Sequence, residues 1–326
     1  MNIHIVGAGA IGLLYGGYLA KAGEKITFWT RKEAQRRVLL EQGIFIEEAD
    51  GSTVKIEEGQ WTARVLKQDG CDDNDAEEGM RQEVPEWILI AVKQSHFEEN
   101  MISALSHIAG PDTRIACLQN GIGHIDKISR RLGGRPVYTI ITTEGSTRLA
   151  DNGVRRAGLG ESRLGMSKAQ AGSGLDALHD RSTETLLNAL RKAGFPTLLS
   201  NDIDKDIYRK LLINSVINPL TAILRVPNGD LLVGKERMTM VRLLCAEAER
   251  AYRACGISLD DDAFEMVAGV CRSTSSNTSS MLGDVLHHRA TEVDAINGQL
   301  VGMAESVGMD LPMHRTLWLL VKSMHP

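Results

Sequence analysis

Residues Asn2 to Gly12 read NIHIVGAGAIG, a short run of β-formers passing directly into three glycines spaced as GxGxxG. An Ala/Leu/Gly-rich segment, Leu13 to Ala22, follows with the composition of a helix. Glycine-rich turns are common, so the motif alone is weak. Directly after an N-terminal strand and before a helix, it is the fingerprint of a dinucleotide-binding βαβ unit. Gly7 permits the tight turn, Gly9 lets a pyrophosphate approach the backbone, and Gly12 lets helix and strand pack closely. The N–H groups at the helix start then face the phosphates. Gly7, Ala8, Gly9, Ala10, Ile11 and Gly12 are therefore the expected cofactor-binding turn.

The next strand, Lys25 to Thr30, ends where such sites choose between cofactors. An NAD site tends to carry Asp or Glu there, bonded to the ribose diol. This chain has Thr30-Arg31-Lys32 instead. A carboxylate would repel a 2′-phosphate, whereas Arg31 can grip one with paired N–H donors. The expected cofactor is NADP(H). The alternative is that Arg31 and Lys32 only solvate a helix start.

Further along, Gly43 to Glu58 alternates apolar and polar residues around Asp50-Gly51, which signals a hairpin. Asp69 to Glu83 is acidic without apolar periodicity and reads as a surface loop. Trp87 to Val92 is a buried parallel strand, with Lys93 at its carboxyl end, where open α/β sheets bind ligands. Arg114 to Leu118 is the next strand. It delivers Asn120 between glycine-flanked neighbours, a candidate for the nicotinamide end. Val137 to Thr143 and Gly153 to Met166 read as strands, Thr183 to Gly194 as an amphipathic helix, and Pro196 to Ser200 as a last strand. Composition then turns to helix after helix. The expectation is an α/β Rossmann-like domain over 1–199 and an all-α domain over 200–326. Beyond the first of its helices, Lys235 to Cys255, Asp260 to Ser275, Asp284 to Val307 and His314 to Met324 carry helical patterns.

That first helix carries the most informative stretch of the second half, Tyr208 to Asp230, YRKLLINSVINPLTAILRVPNGD. Lys210, Asn214 and Asn218 are spaced i, i+4, i+8, along one side of a helix that is otherwise apolar nearly all round. Such a helix belongs inside a protein, where its polar groups must find partners. The row suggests a polar ligand or a wet pocket facing it. Equally, the asparagines could cross-link neighbouring backbone while Lys210 snorkels to water. Pro219 predicts a kink or stop at Asn218.

The totals bound the rest. At 326 residues the chain exceeds the usual size of a single core. Net charge is −5 and aromatic residues are 4% of the chain, which argues against nucleic acid as a partner. No apolar run is long enough to span a bilayer and no signal-peptide pattern opens the chain. The five cysteines form no CxxC pair, which fits reduced thiols in the cytoplasm. No His/Cys ligand set suggests a catalytic metal. The oligomeric state is not fixed by these residues, although the helical half could supply the surface of a homodimer.

A second polar cluster lies in Asn277 to Asp284, with Ser279-Ser280-Met281, and in the following Thr291-Glu292, Asp294 and Ile296-Asn297-Gly298. Serines before a helix are commonly N-caps, which competes with any binding role for Ser279 and Ser280. Glu292, expected on a helix, could be a surface ion-pair partner. It could also be the anionic partner that a buried Lys210 needs.

Together with the glycine turn and Asn120-Gly121, the Lys210–Asn214–Asn218-Pro-Leu-Thr-Ala run, the Pro-Asn-Gly-Asp turn and the Ser-Ser-Met … Thr-Glu … Asn-Gly run resemble ketopantoate reductase over essentially the whole chain. The resemblance implies a helical half like the C-terminal domain of 6-phosphogluconate dehydrogenase. It also implies reduction of 2-dehydropantoate to (R)-pantoate with NADPH, on the route to pantothenate and coenzyme A. By the same resemblance, Lys210 is the catalytic lysine and Glu292 the carboxylate beside substrate and cofactor. Asn214, Asn218, Asn228 and Ser280 would bind the substrate. Asn120 would touch both substrate and nicotinamide, and Arg31 and Lys93 would be basic cofactor contacts. The acidic 69–83 segment looks longer than the family usually has. A reductase of another branched 2-oxo acid, or an NADP-sensing protein without turnover, are the alternatives. The second would be expected to have lost Lys210 or Glu292, and both are present.

Overall fold

A computed structural model of the chain describes residues 1–57, 59–67, 83–94, 99–171 and 180–324. The loop expected over Asp69–Glu83 lies outside the described residues apart from Glu83. Two compact units emerge. The first comprises 1–119 and 124–203, and the second comprises 204–326 together with the short segment 120–123.

The first unit is built on a parallel sheet. In chain order it runs β1 (Asn2–Val6), α1 (Ala10–Lys21), β2 (Lys25–Thr30), α2 (Glu33–Gln42), β3 (Ile44–Glu47), β4 (Thr53–Ile56), β5 (Trp61–Val65) and β6 (Trp87–Ile90). Then come α3 (Glu99–Ile108), β7 (Arg114–Cys117), α4 (His124–Arg131), β8 (Val137–Thr142), β9 (Gly145–Arg148), β10 (Gly153–Gly158) and β11 (Ser162–Met166). A one-turn α5 (Lys168–Ala171), α6 (Arg181–Lys192) and β12 (Thr197–Leu199) complete it. Eight strands form the main sheet in the order β12-β11-β8-β7-β6-β1-β2-β5. All its pairings are parallel except β11 against β8.

A second, four-stranded sheet has the order β4-β3-β10-β9. Its β3–β4 hairpin turns at Asp50-Gly51, where Gly51 takes a positive φ of 82° and Asp50 accepts the Ser52 N–H at 2.9 Å. The strand expected over Gly153–Met166 is in fact two strands in different sheets. Register already slips between Arg156 and Gly158, and Leu159 is thrust into solvent at the corner. Gly160 follows, close enough to Thr143 and Glu144 that a Cβ there would sit 2.3 Å from backbone. A periodicity reading misses a corner made by close approach rather than by a turn motif.

Two polar links fasten this unit internally. The Tyr15 hydroxyl of α1 bonds Thr142 and Ser162 at 2.8 and 2.7 Å, with its ring stacked on Phe195. Arg156 of β10 grips the fully buried Glu144 carboxylate through two N–H donors at 2.9 and 2.8 Å, joining the small sheet to the end of β8.

The second unit is helical: α7 (Ile203–Leu224), a 3₁₀ turn (Asn228–Leu232), α8 (Lys235–Ala254), α9 (Ala263–Ser273), α10 (Ser280–Leu286), a π-helical turn (Asp294–Gly298), α11 (Gln299–Glu305) and α12 (Pro312–Ser323). Its core joins Leu212, Val216 and Leu220 of α7 to Leu244 and Ala248 of α8, Val267 of α9 and Leu300 of α11. Ile122, from the short segment that follows Gln119, packs against the same core.

Of the kink or stop expected at Asn218, the stop does not occur, and helix α7 continues through Pro219 to Leu224. Proline cannot donate to the carbonyl four residues back, that of Ser215. Left alone in this buried position, such a carbonyl costs roughly 1–3 kcal/mol. The Asn297 side chain supplies the missing donor at 2.9 Å, and Thr221 bonds back to the Ile217 and Asn218 carbonyls. Nor is Asp284–Val307 one helix. α10 ends with His288 in the left-handed region at φ 52°, closed by Arg289 N–H to the Asp284 carbonyl (2.8 Å) and His288 N–H to Val285 (3.2 Å). This is a Schellman-type stop, made here without glycine, which is why composition hid it.

No helix among the described residues is long and apolar enough to cross a membrane. No group of His, Cys, Asp and Glu side chains among them could hold a metal ion.

Candidate active site

In the first unit, β1 feeds the glycine turn, and Gly7 closes it at φ 105° with its N–H bonded to the Trp29 carbonyl at 3.0 Å. A Cβ on Gly7 would collide with Val92, and one on Gly12 would lie 1.9 Å from the Gly7 oxygen. The turn thus exists only with glycine at both places. Gly9 is the N-cap of α1; no side chain caps the helix and its first turn holds no acidic residue. A Cβ at Gly9 would meet nothing within 4 Å. An uncapped, acid-free helix start beside an open approach is the physical requirement for a phosphate cradle. The dinucleotide phosphates fit it.

Arg31 and Lys32 follow β2 directly and are exposed, while Lys93 lies just past β6 and is half-buried. Gln35 was not singled out from the sequence. Its amide donates to the Ala8 carbonyl (2.7 Å) and to that of Asp151 (2.9 Å), fastening the turn to the loop before β10. Gln119 was not singled out either. It is buried just past β7, and neither end of its amide has a partner among the described residues.

The second unit holds the charged pair. Lys210, Asn214 and Asn218 lie on one unbroken helix, so the i, i+4, i+8 row is real and Asn218 stays on it. Lys210 and Asn214 are half-buried and Asn218 is buried. Loss of water around the Lys210 ammonium pulls its pKa from 10.5 down to about 8, and the negative charge of Glu292 pushes in the opposite direction. Desolvation wins, leaving an ammonium that gives up its proton readily near neutral pH.

Glu292 stands just ahead of the π-helical turn rather than within a regular helix as expected. Its carboxylate accepts the Asn120 Nδ2–H at 3.0 Å. Asn120 belongs to the segment that packs with the helices, so lysine, carboxylate and amide are all held by one unit. An anion ahead of a helix start is also favoured by the backbone dipoles there.

The remaining residues separate. Asn228 is buried in the 3₁₀ turn, where its Nδ2–H donates to Thr274 Oγ1 at 2.9 Å and its backbone N–H to the Asn277 carbonyl at 3.0 Å. Its Oδ1 has no partner among the described residues. Of the paired serines, Ser279 is the N-cap: it accepts the Leu282 N–H at 3.1 Å and shares a 2.7 Å bond with Thr221. Ser280 is exposed in the first turn of α10 and takes no part in capping. The competition between capping and binding thus resolves by position, with Ser279 committed and Ser280 available.

Asn297, present in the motif but given no role from the sequence, proves to be a buried donor to helix α7. The signal that could have found it is Pro219, which demands a side-chain donor for the Ser215 carbonyl wherever the helix continues.

Comparison with known proteins agrees with this architecture. The family model described as ketopantoate reductase PanE/ApbA matches residues 3–169, and its C-terminal counterpart matches residues 202–325. A 2-dehydropantoate 2-reductase of Bacillus subtilis is 31% identical over 99% of this chain and 97% of its own length. The crystal structure of a probable 2-dehydropantoate 2-reductase from the same organism is similar at a TM-score of 0.77 and 28% identity, over 100% of both chains. The ternary structure of D-mandelate dehydrogenase with NADH and anilino(oxo)acetate shares the fold at a TM-score of 0.83 and 24% identity. That likeness covers 99% of this chain and 98% of the other.

Proposed function

The chain belongs to the ketopantoate reductase PanE/ApbA family, and on that premise we propose that it reduces 2-dehydropantoate to (R)-pantoate with NADPH, supplying pantothenate and coenzyme A synthesis. The broader reading, an oxidoreductase acting on a CH–OH group, rests on the family and on the curated relatives. The observation that carries the proposal is the Lys210–Glu292–Asn120 constellation: a desolvated ammonium, a carboxylate acting on it, and an amide that orients the carboxylate.

NADPH, when bound, supplies the hydride from C4 of its nicotinamide. The glycine turn and the start of α1 take its pyrophosphate, Arg31 takes the 2′-phosphate, and Lys93 adds positive charge. As the ketone gains the hydride, negative charge grows on its oxygen. Protonated Lys210 neutralises that charge and then passes its proton to the oxygen, acting first electrostatically and then as general acid. Glu292 keeps the ammonium protonated and orients it. Asn214, Asn218, Asn228 and Ser280 hold the substrate carboxylate and hydroxyl, fixing the ketone for attack.

The test is steady-state oxidation of NADPH with 2-dehydropantoate, run beside NADH and beside a series of branched 2-oxo acids. Preference for 2-dehydropantoate with NADPH supports the reading in full. A preference for a different branched 2-oxo acid would move the substrate and keep the mechanism. Absence of turnover with every acid would overturn it.

A further inference from the structure

Pro219 removes a helical donor in the middle of the helix that carries Lys210, Asn214 and Asn218, yet α7 runs on for another turn. Its missing hydrogen bond is replaced from outside by Asn297 Nδ2, 2.9 Å from the Ser215 oxygen. Asn297 is fully buried and lies in the π-helical turn Asp294–Gly298. The segment entering that turn carries Glu292, whose carbonyl accepts the Ile296 N–H at 3.1 Å.

The same amide nitrogen also faces His314 Nδ1 at 3.3 Å. Nε2 of that ring lies 3.1 Å from the Leu244 carbonyl, which can only accept, so Nε2 carries the proton and Nδ1 receives the second Asn297 hydrogen. His314 is itself tied down, since its N–H and that of Met313 both donate to Glu247 at 2.9 and 3.2 Å. Asn297 is thus oriented from α8 and α12, and both its hydrogens are committed.

We propose that Asn297 is a positioning residue: by standing in for the donor that Pro219 lacks, it sets the register between the Lys210 helix and the Glu292 segment. It need not touch substrate. One side-chain amide bridges the backbone of the helix bearing the ammonium and the turn that follows the carboxylate, so the two charged groups cannot shift independently. A π-helical turn, whose geometry is uncommon and recurs at functional sites, aims it there. The kinetic part of this inference rests on the reductase reading above; the structural part does not.

The test is a cycle of Asn297→Ala and Pro219→Ala. Alanine at 219 restores an N–H four residues after Ser215, so it should replace the hydrogen bond to α7 that Asn297→Ala removes but not the link to the π-helical turn. Asn297→Ala alone should raise KM for 2-dehydropantoate about tenfold, the worth of one hydrogen bond, with the Kd for NADPH unchanged. It should also lower the urea midpoint. Pro219→Ala alone should leave both close to wild type. The double variant should recover most of the midpoint, because α7 regains its donor, while KM stays raised, because no amide then joins the two segments. Equal midpoint losses in the single and double variants would overturn the proposal, as would recovery of KM in the double variant or an Asn297→Ala protein identical to wild type. If Asn297→Ala fails to fold, recovery of folding in the double variant supports the pairing and its failure overturns it. Should the wild type reduce no 2-oxo acid, the reductase reading fails by itself, and the midpoint cycle still decides the role of Asn297.

Discussion

Asn120 and Glu292, 172 residues apart, meet through a 3.0 Å hydrogen bond in which the amide donates to the carboxylate. That bond fixes the carboxylate whose charge raises the pKa of Lys210 against desolvation. Replacing Glu292 by Gln keeps an oxygen for Asn120 but removes the charge, so the Lys210 pKa should fall below its present value of about 8. In the proposed mechanism activity needs the protonated lysine, so it should decline as pH rises through that pKa. In Glu292→Gln the alkaline limb of the kcat/KM profile with 2-dehydropantoate should therefore move to lower pH. A limb that stays in place would show that some other group is titrating.

Removing the ammonium itself should be more severe. In the proposed mechanism, Lys210→Ala takes away both the charge opposing the developing alkoxide and the proton donor. A fall in kcat of roughly 10²–10⁴ is the usual range for such a group. NADPH binding should persist, because its proposed contacts lie on the glycine turn and on Arg31 and Lys93. Fluorescence titration of NADPH beside turnover measurements separates the two effects. Full turnover in this variant would take Lys210 out of the reaction.

In the proposed reading, cofactor choice rests on Arg31, exposed directly after β2 with no carboxylate in the Thr30-Arg31-Lys32 run. Charge-assisted hydrogen bonds are worth about 1.5–3 kcal/mol, so Arg31→Ala should raise KM for NADPH by roughly 10–100-fold. KM for NADH, which has no 2′-phosphate, should hardly move. Equal changes for both cofactors would mean that Arg31 serves the fold or the adenine rather than the phosphate.

Much of this was legible from the residues, for identifiable reasons. Gly7 and Gly12 announce themselves because only glycine fits where a Cβ would strike Val92 or the Gly7 oxygen. The row Lys210, Asn214, Asn218 was readable because helical spacing is local information. What stayed hidden depends on partners distant in sequence. Nothing near Pro219 says that a side chain 78 positions later would repair its helix, so a kink or stop at Asn218 was the natural expectation. His288 ends α10 in a conformation usually left to glycine, which concealed the break ahead of Glu292. The choice of Ser279 over Ser280 as cap required Thr221, from another helix, beside the hydroxyl.

The first unit also contains a titrating group unrelated to the reaction. His4 is buried in β1, and its Nδ1 accepts the Trp29 indole N–H at 3.1 Å, which requires a neutral ring. Burial first, and the Arg64 charge second, pull its pKa from 6.5 to about 4. The folded state therefore binds fewer protons than the unfolded chain throughout that interval. Stability falls as pH drops below about 6.5 and levels off near 4, a total of about 3 kcal/mol for this one group. His314, also buried and shifted downward, contributes in the same direction. Urea midpoints measured between pH 7 and pH 4 should fall more steeply in wild type than in His4→Phe, which cannot titrate. The variant also loses the Trp29 bond and should start lower at pH 7, so the slope rather than the level is diagnostic. Parallel slopes would mean that His4 takes up its proton without opening the strand.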